Sequence, residues 1–344
     1  MTLARRPRLR RLSVVLALAG LASAGIAGCS SSSSTGTTAT TASGQGPELT
    51  NITVETLVGD GAAPLWIAQQ DGYFKQQGLN VKIVDAQGAS TEFSDLAAHV
   101  AQFVEGNYVT MLQVMGKDPS SGLRAVADNV RPGPNTNDLM VAGNSSITSV
   151  AQLKGKSIAF PSAGLDSGEV ALDQDLAGYN ISPHAYTDVA MSYSSMPAAL
   201  KSGEIAAAFV IQPYITEMES KDGDHELLDL MAGGNLTLPL EGWMSNTYFV
   251  QHDPRTVAAF QRAIAKAETV AAGNPTLVRG LMTKNIKTLS PTVANVMNLR
   301  TFTSTITPTE LDRVAVGMQQ LGALPASFNE SDVAQLITPL PAGS

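Results

Sequence analysis

Ile52-Thr53-Val54-Glu55-Thr56-Leu57-Val58 alternates apolar and polar side chains and stops at Gly59, the period of a strand. Gly61-Ala62-Ala63-Pro64 then turns the chain, with Pro64 suited to the first helical position, and Leu65 to Asp71 continues as a short helix. Gly72 and Gly78 punctuate the return, and Asn80 to Val84 is a second strand. Two strands joined through a helix in so few residues form a βαβ unit. Such a crossover makes the strands parallel and lays the helix on one face, which commits the chain to an α/β fold.

The same grammar recurs from residue 138. Asp138 to Ala142 and Lys156 to Phe160 read as strands. Asp166-Ser167-Gly168-Glu169 has the form of a capping box, Asp166 at the N-cap and Glu169 reaching back, which starts a helix through Ala171, Leu172 and Leu176 to Gly178. Met196 to Lys201 is a short helix closed by Gly203, and Ile205 to Ile211 is a buried strand. From Pro254 onward the pattern is mostly helical, Val257, Phe260, Ile264 and Ala267 stepping along one face. The expected architecture is two α/β units with a helical C-terminal third. No short-period repeat is present.

The N-terminus carries an export pattern. Arg5, Arg6, Arg8, Arg10 and Arg11 precede an apolar run from Leu12 to Ala27, shorter than the ~20 residues that span a bilayer comfortably. Ile26-Ala27-Gly28-Cys29 closes it and resembles the bacterial lipobox, in which the cysteine is lipidated and becomes the new N-terminus. Cys29 is the only cysteine, so it is the expected lipidation site and neither disulfides nor thiol chemistry are available elsewhere. Ser30 to Gly46 is almost entirely Ser, Thr, Gly and Ala, a tether with a reach of about 20–25 Å r.m.s.. Folded protein is expected from about Glu48. Losing the five arginines of residues 1–28 takes the formal charge from −8 to −13. That acidity argues against nucleic acid or anionic lipid as a partner.

Enzymatic signatures are missing from the sequence. His99, His184, His225 and His252 are scattered without metal-ligand spacing, and no Gly-x-Ser-x-Gly elbow, Gly-x-Gly-x-x-Gly or phosphate-binding loop occurs. No metal, cofactor or catalytic residue is assigned.

Three stretches together resemble the extracytoplasmic substrate-binding proteins of ABC importers, in the nitrate/sulfonate/taurine and thiamine-pyrimidine-precursor group. The first is Ala63-Pro64-Leu65-Trp66-Ile67-Ala68 with Gly72-Tyr73-Phe74-Lys75 and Gly78-Leu79-Asn80-Val81. The second is Leu153-Lys154-Gly155-Lys156-Ser157-Ile158-Ala159. The third is Ala199-Leu200-Lys201-Ser202-Gly203-Glu204-Ile205, followed by Ala208 and Gln212-Pro213-Tyr214. With the Gly242-Trp243 return and the Ala263/Ala267 helix, the likeness spans about residues 50–275. One departure is Phe103-Val104-Glu105-Gly106-Asn107-Tyr108-Val109, which lacks the Asp of the family's corresponding motif and leaves the roles of Asn107 and Tyr108 open.

The resemblance implies a type II periplasmic-binding-protein fold, two α/β lobes, each a mainly parallel sheet flanked by helices, joined by two chain crossings. The expected division is a signal peptide over 1–28, a lipidated Cys and linker over 29–47, one lobe from 48–137 with 243–344, and the other from 138–242. It further implies a lipid-anchored, exported, monomeric receptor on the outer face of the cell membrane. That receptor captures a small organic solute, a heterocycle, sulfonate or relative, for a permease with a cytoplasmic ATPase. Some relatives in the pyrimidine-precursor group are enzymes that use His and Cys residues, chemistry an acylated lone Cys29 does not support. A surface sensory or adhesion protein on the same fold, or an exported hydrolase or transferase, are the alternatives.

Ligands of open α/β sheets sit beyond the carboxyl ends of strands, near helix N-termini. Three loops have that placement: Asp60 to Trp66, Pro161 to Gly168, and Gln212-Pro213-Tyr214. The expected ligand-binding residues are Asp60, Trp66, Ser162, Asp166, Ser167, Gly168, Gln212, Tyr214 and Trp243. Ser162 and Ser167 offer hydroxyl donors at a helix N-terminus, although Asp166 and Ser167 equally suit plain capping. Trp66 either stacks on a planar ligand or packs in the core, and Trp243 near the second crossing either touches ligand or packs a hinge. Tyr73 and Phe74 read as core. None of the three loops holds Lys or Arg, which weighs against a bare inorganic anion.

Overall fold

The computed structural model describes residues 46–86, 89–161 and 166–342. The signal peptide, Cys29, most of the linker and Ser162 lie outside the described residues. Among the described residues eleven strands form two sheets. They are β1 (Asn51–Thr56), β2 (Asn80–Asp85), β3 (Phe103–Asn107), β4 (Leu123–Arg131), β5 (Asn137–Val141), β6 (Ser157–Phe160), β7 (Thr187–Ala190), β8 (Ala207–Ile211), β9 (His225–Asp229), β10 (Glu241–Asn246) and β11 (Thr301–Phe302). One sheet has the order β11-β4-β10-β3-β1-β2, the other β7-β6-β8-β5-β9.

The two sheets share a plan. In the first, β1 pairs in parallel with β2 and β3, and β10 enters antiparallel between β3 and β4. In the second, β6 pairs in parallel with β7 and β8, and β5 enters antiparallel between β8 and β9. Each sheet therefore contains one interior strand inserted against the parallel direction, and in the first sheet the edge strand β11 runs that way too. β5 follows directly on the chain's exit from the first sheet, and β10 is its return.

Both faces of each sheet are covered, so central strands are apolar on successive residues rather than alternately. Leu139, Ile158, Phe160 and Phe209 join one core, while Met140, Ala159, Ala208 and Val210 join another on the opposite face. In the first sheet Phe103 and Trp243 pack on the side of the long helix Pro254–Gly273, where the Phe103 and Phe260 rings stack at 4.0 Å. Val104 and Met244 face a core of Tyr108, Met111, Leu112 and Met318. The helix Pro308–Gln320 caps this side with a Thr307/Glu310 box.

Local signals act where the sequence places them. Pro64 lies in the first turn of the helix Ala63–Gln70. Asp166 accepts from the backbone N–H groups of Gly168 and Glu169, and the Glu169 carboxylate accepts from Asp166 N, completing the box that opens the helix Ser167–Gly178. Gly203 ends the helix Met196–Ser202 at φ 76°, a left-handed conformation that glycine adopts without penalty. Among the described residues no helix is long and apolar enough to cross a membrane.

Candidate functional site

The parallel strands of the two sheets end at one cavity of about 340 Å³, within the roughly 300–1,000 Å³ range of small-molecule sites. From the first sheet come Leu57, Val58 and Gly59 after β1, Ala86 after β2, and Asn107 and Thr110 where β3 passes into the helix Tyr108–Lys117. From the second come Pro161, Asp166 and Ser167 after β6, Ser192, Tyr193 and Ser194 after β7, and Phe209, Ile211 and Tyr214 at and beyond the end of β8. The inserted strands run the other way, so it is their first residues, Asn137 of β5 and Glu241 of β10, that reach the same space. Strand polarity alone thus gathers these segments.

Asn107 joins the two halves. Its Oδ1 accepts from Val109 N as a helix N-cap, and its Nδ2 donates to Ser167 Oγ at 3.3 Å. Opposite, the Tyr193 and Tyr214 rings stack at 5.4 Å and 28° and form an aromatic wall. Both rings keep part of their surface exposed.

Among the described residues the one guanidinium in the lining is Arg300, brought in from the approach to β11. It is buried and paired with two carboxylates. Its Nε donates to Asp60 Oδ1 at 2.7 Å, its backbone N to Asp60 Oδ2, and its Nη1 to Glu241 Oε2 at 2.6 Å. These carboxylates hold the guanidinium charged against the cost of burial, raising its affinity for the proton. Behind it, Glu105 accepts from Thr56 Oγ1, Leu57 N and Asn129 Nδ2. Burial, reinforced by the Glu241 charge, pushes the Glu105 carboxyl up to about 8. Gly61 is required here, because a Cβ would collide with the Glu105 carboxylate.

Asp166 lines the opposite side. Its Oδ1 takes the two capping N–H groups, while its Oδ2 is buried without a partner among the described residues. Burial pushes the carboxyl up to about 7, against the pull of the Glu169 and Gly168 N–H groups. Gly168 lets this helix end approach β8, since a Cβ there would meet the Phe209 ring at 2.5 Å.

Of the expected ligand-binding residues, Asp166, Ser167 and Tyr214 line the cavity. Asp60 sits one layer back as the anchor of Arg300. Gln212 is buried, its Nε2 on Asn135 O and its Oε1 accepting from Thr216 Oγ1. The tryptophans lie elsewhere. Trp66 packs half-buried against the core that includes the long helix and is not among the residues lining the cavity. Trp243 is fully buried and donates Nε1 to Glu268 Oε1 at 3.1 Å. Trp243 lies inside β10 and packs in the core, whereas Glu241, the first residue of the strand, sits at its mouth. Tyr108 is likewise interior, its hydroxyl donating to Asp128 at 3.0 Å.

Arg300, Glu241, Tyr193, Asn107 and Asn137 were not anticipated as site residues. Arg300 lies between Leu299 and Phe302 in a short apolar stretch, and a lone arginine there signals a buried, paired cation. Tyr193, in Met191-Ser192-Tyr193-Ser194, shows the small-residue setting of a loop beyond a strand. Among the described residues no group of three His, Cys, Asp or Glu side chains is arranged to hold a metal ion.

The sheet order and the cavity between the two sheets define a two-lobe periplasmic-binding-protein fold of type II. Residues 61–277 match the NMT1/THI5 like family, and the chain belongs to it. Among curated proteins it is similar to the 4-amino-5-hydroxymethyl-2-methylpyrimidine phosphate synthases THI13 and THI5 of Saccharomyces cerevisiae, at 23% identity over 225 residues. The match covers 62% of this chain and 64% of each relative's length. Among solved structures it is similar to the alkanesulfonate-binding protein SsuA of Xanthomonas axonopodis pv. citri, with a TM-score of 0.70 and 17% identity over 85% of this chain and 99% of that one. It is also similar to the periplasmic nitrate-binding protein NrtA of Synechocystis PCC 6803, with a TM-score of 0.71 and 15% identity over 85% and 87%.

Proposed function

We propose that the chain is the lipid-anchored, extracytoplasmic solute-binding component of an ABC importer. It acts as a monomer, tethered through Cys29, and delivers a small organic solute to a permease driven by a cytoplasmic ATPase. The observation that carries this reading is the cavity lined from both sheets and bridged by Asn107 and Ser167. A solute there touches both lobes only when they are together, so binding shifts the population toward the closed form. The chain passes from one lobe to the other before Asn137 and back before Glu241, so the lobes are residues 48–136 with 241–344, and 137–240.

Asp166, Ser167, Tyr193, Tyr214, Asn107, Asn137, Glu241 and Arg300 contact the solute, while Asp60, Gln212 and Gly168 hold that shell in place. The structural neighbours named for sulfonate and nitrate binding support transport over catalysis. The yeast relatives are named synthases, but neither His nor Cys is among the described residues lining this cavity.

The test is mass spectrometry of what denatured protein releases after purification from its native membrane, followed by calorimetry with the solute identified. One stoichiometric small molecule that rebinds supports the reading. Turnover of that molecule by the protein alone overturns it in favour of an enzyme. Palmitate labelling tests the anchor and is abolished by Cys29→Ser if Cys29 carries the lipid.

A further inference from the structure

Charge and donor bookkeeping in the cavity separate the solute classes. Three charged side chains line it, Asp166, Glu241 and Arg300. The guanidinium that an oxyanion would seek already holds Asp60 and Glu241. The helix N-terminus at Ser167, the other natural anion site, is occupied as well: the Gly168 and Glu169 N–H groups bind the chain's own Asp166 carboxylate. An incoming oxyanion would meet two carboxylates and displace bonds already made.

A cation meets the opposite situation. Asp166 Oδ2, on a residue only 7% exposed, has no donor among the described residues. A buried acceptor left unpaired is costly until a donor arrives. The stacked Tyr193 and Tyr214 rings line the same cavity, and an aromatic ring attracts a positive group to its face.

Resting on the reading that this cavity is the solute site, we propose that it selects a planar solute bearing a positively charged N–H group, an amidinium or protonated ring nitrogen. Asp166 and Glu241 supply the charge, Tyr193 and Tyr214 the stacking face. Oxyanions are rejected by the same carboxylates.

Three size-matched probes test this by calorimetry on the full detergent-solubilised protein, freed of any co-purifying solute: benzamidinium, benzamide and benzenesulfonate. At about pH 8, where the Asp166 carboxyl is mainly ionised, benzamidinium should bind at least about tenfold tighter than benzamide, and benzenesulfonate weakest. Asp166→Asn should abolish the benzamidinium preference while leaving benzamide binding within about threefold. Tyr214→Ala should weaken both ring probes. Preference for benzenesulfonate, a benzamidinium preference unchanged in Asp166→Asn, or no benzamidinium binding at millimolar concentration each overturns the proposal. Should benzenesulfonate bind and draw the lobes together, the solute-receptor reading survives and only the charge selectivity falls.

Discussion

Asn107 Nδ2 donates to Ser167 Oγ at 3.3 Å, a contact between the end of β3 in one sheet and the first turn of a helix on the other. The same Asn107 caps its own helix through Oδ1, so its side chain is fixed locally before it reaches across. Ser167→Ala removes the bridge together with the hydroxyl that lines the cavity, and leaves the Asn107 cap in place. Solute affinity should fall by roughly 3–10-fold, about 0.5–1.5 kcal/mol, with the melting temperature of the solute-free protein nearly unchanged. Asn107→Ala should cost a further ~1 kcal/mol of stability through the lost cap. Calorimetry and thermal melts of the two variants separate these effects.

The tryptophans divide stability from recognition. Trp243 is fully buried and hydrogen-bonded to Glu268, so Trp243→Ala should destabilise by about 3–5 kcal/mol. Trp243→Phe should keep most of the packing and lose mainly the Nε1 bond. Trp66→Ala should cost less, because the ring is only partly buried on the core. For all three, the protein that remains folded should bind solute as the parent does, as read by denaturant melts alongside calorimetry. Loss of affinity in folded Trp66→Ala would return that ring to the cleft.

Acid sensitivity should depend on Glu310. The Arg131 hydrogen bond and the Thr307 cap hold its carboxyl down to about 2, outweighing the opposing effect of burial. Its folded pKa is below its unfolded value near ~4.3. Its contribution is therefore complete above about pH 5 and is lost as pH falls toward 2. The side chain is about a quarter exposed, so the contribution is roughly 1–2 kcal/mol after screening. Glu310→Gln should lower stability at neutral pH and flatten its decline between about pH 5 and 2. Urea melts across that range measure the slope.

The fold was legible where one short segment carries its own signal. Period-two alternation marked β1, Pro64 and the glycines marked the first crossover, and the Asp166/Glu169 box opened its helix at the expected residue. β3, β4, β7, β9, β10 and the two-residue β11 were not marked, because a strand covered on both faces or at an edge has no distinctive period. The cavity was legible as three loops at strand ends, since polarity follows from the βαβ units. Its chemistry was not. Arg300 reaches Asp60 across 240 residues, a pairing that no local pattern encodes. Residue type drew Trp66 and Trp243 toward the cleft, whereas both pack with the core of the first sheet.

The central claim is that solute closes two lobes over one cavity, and a distance between the lobes measures it. Lys82 on β2 and Glu204 beyond the helix Met196–Ser202 are exposed positions, one on each sheet's unit. Lys82→Cys with Glu204→Cys in a Cys29→Ser background accepts one pair of spin labels, because Cys29 is the only native cysteine. Pulsed electron spin resonance should show a broad distance distribution without solute, narrowing to a single shorter or rotated distance at saturation. A distribution unchanged by a solute that calorimetry shows to be bound would contradict the account.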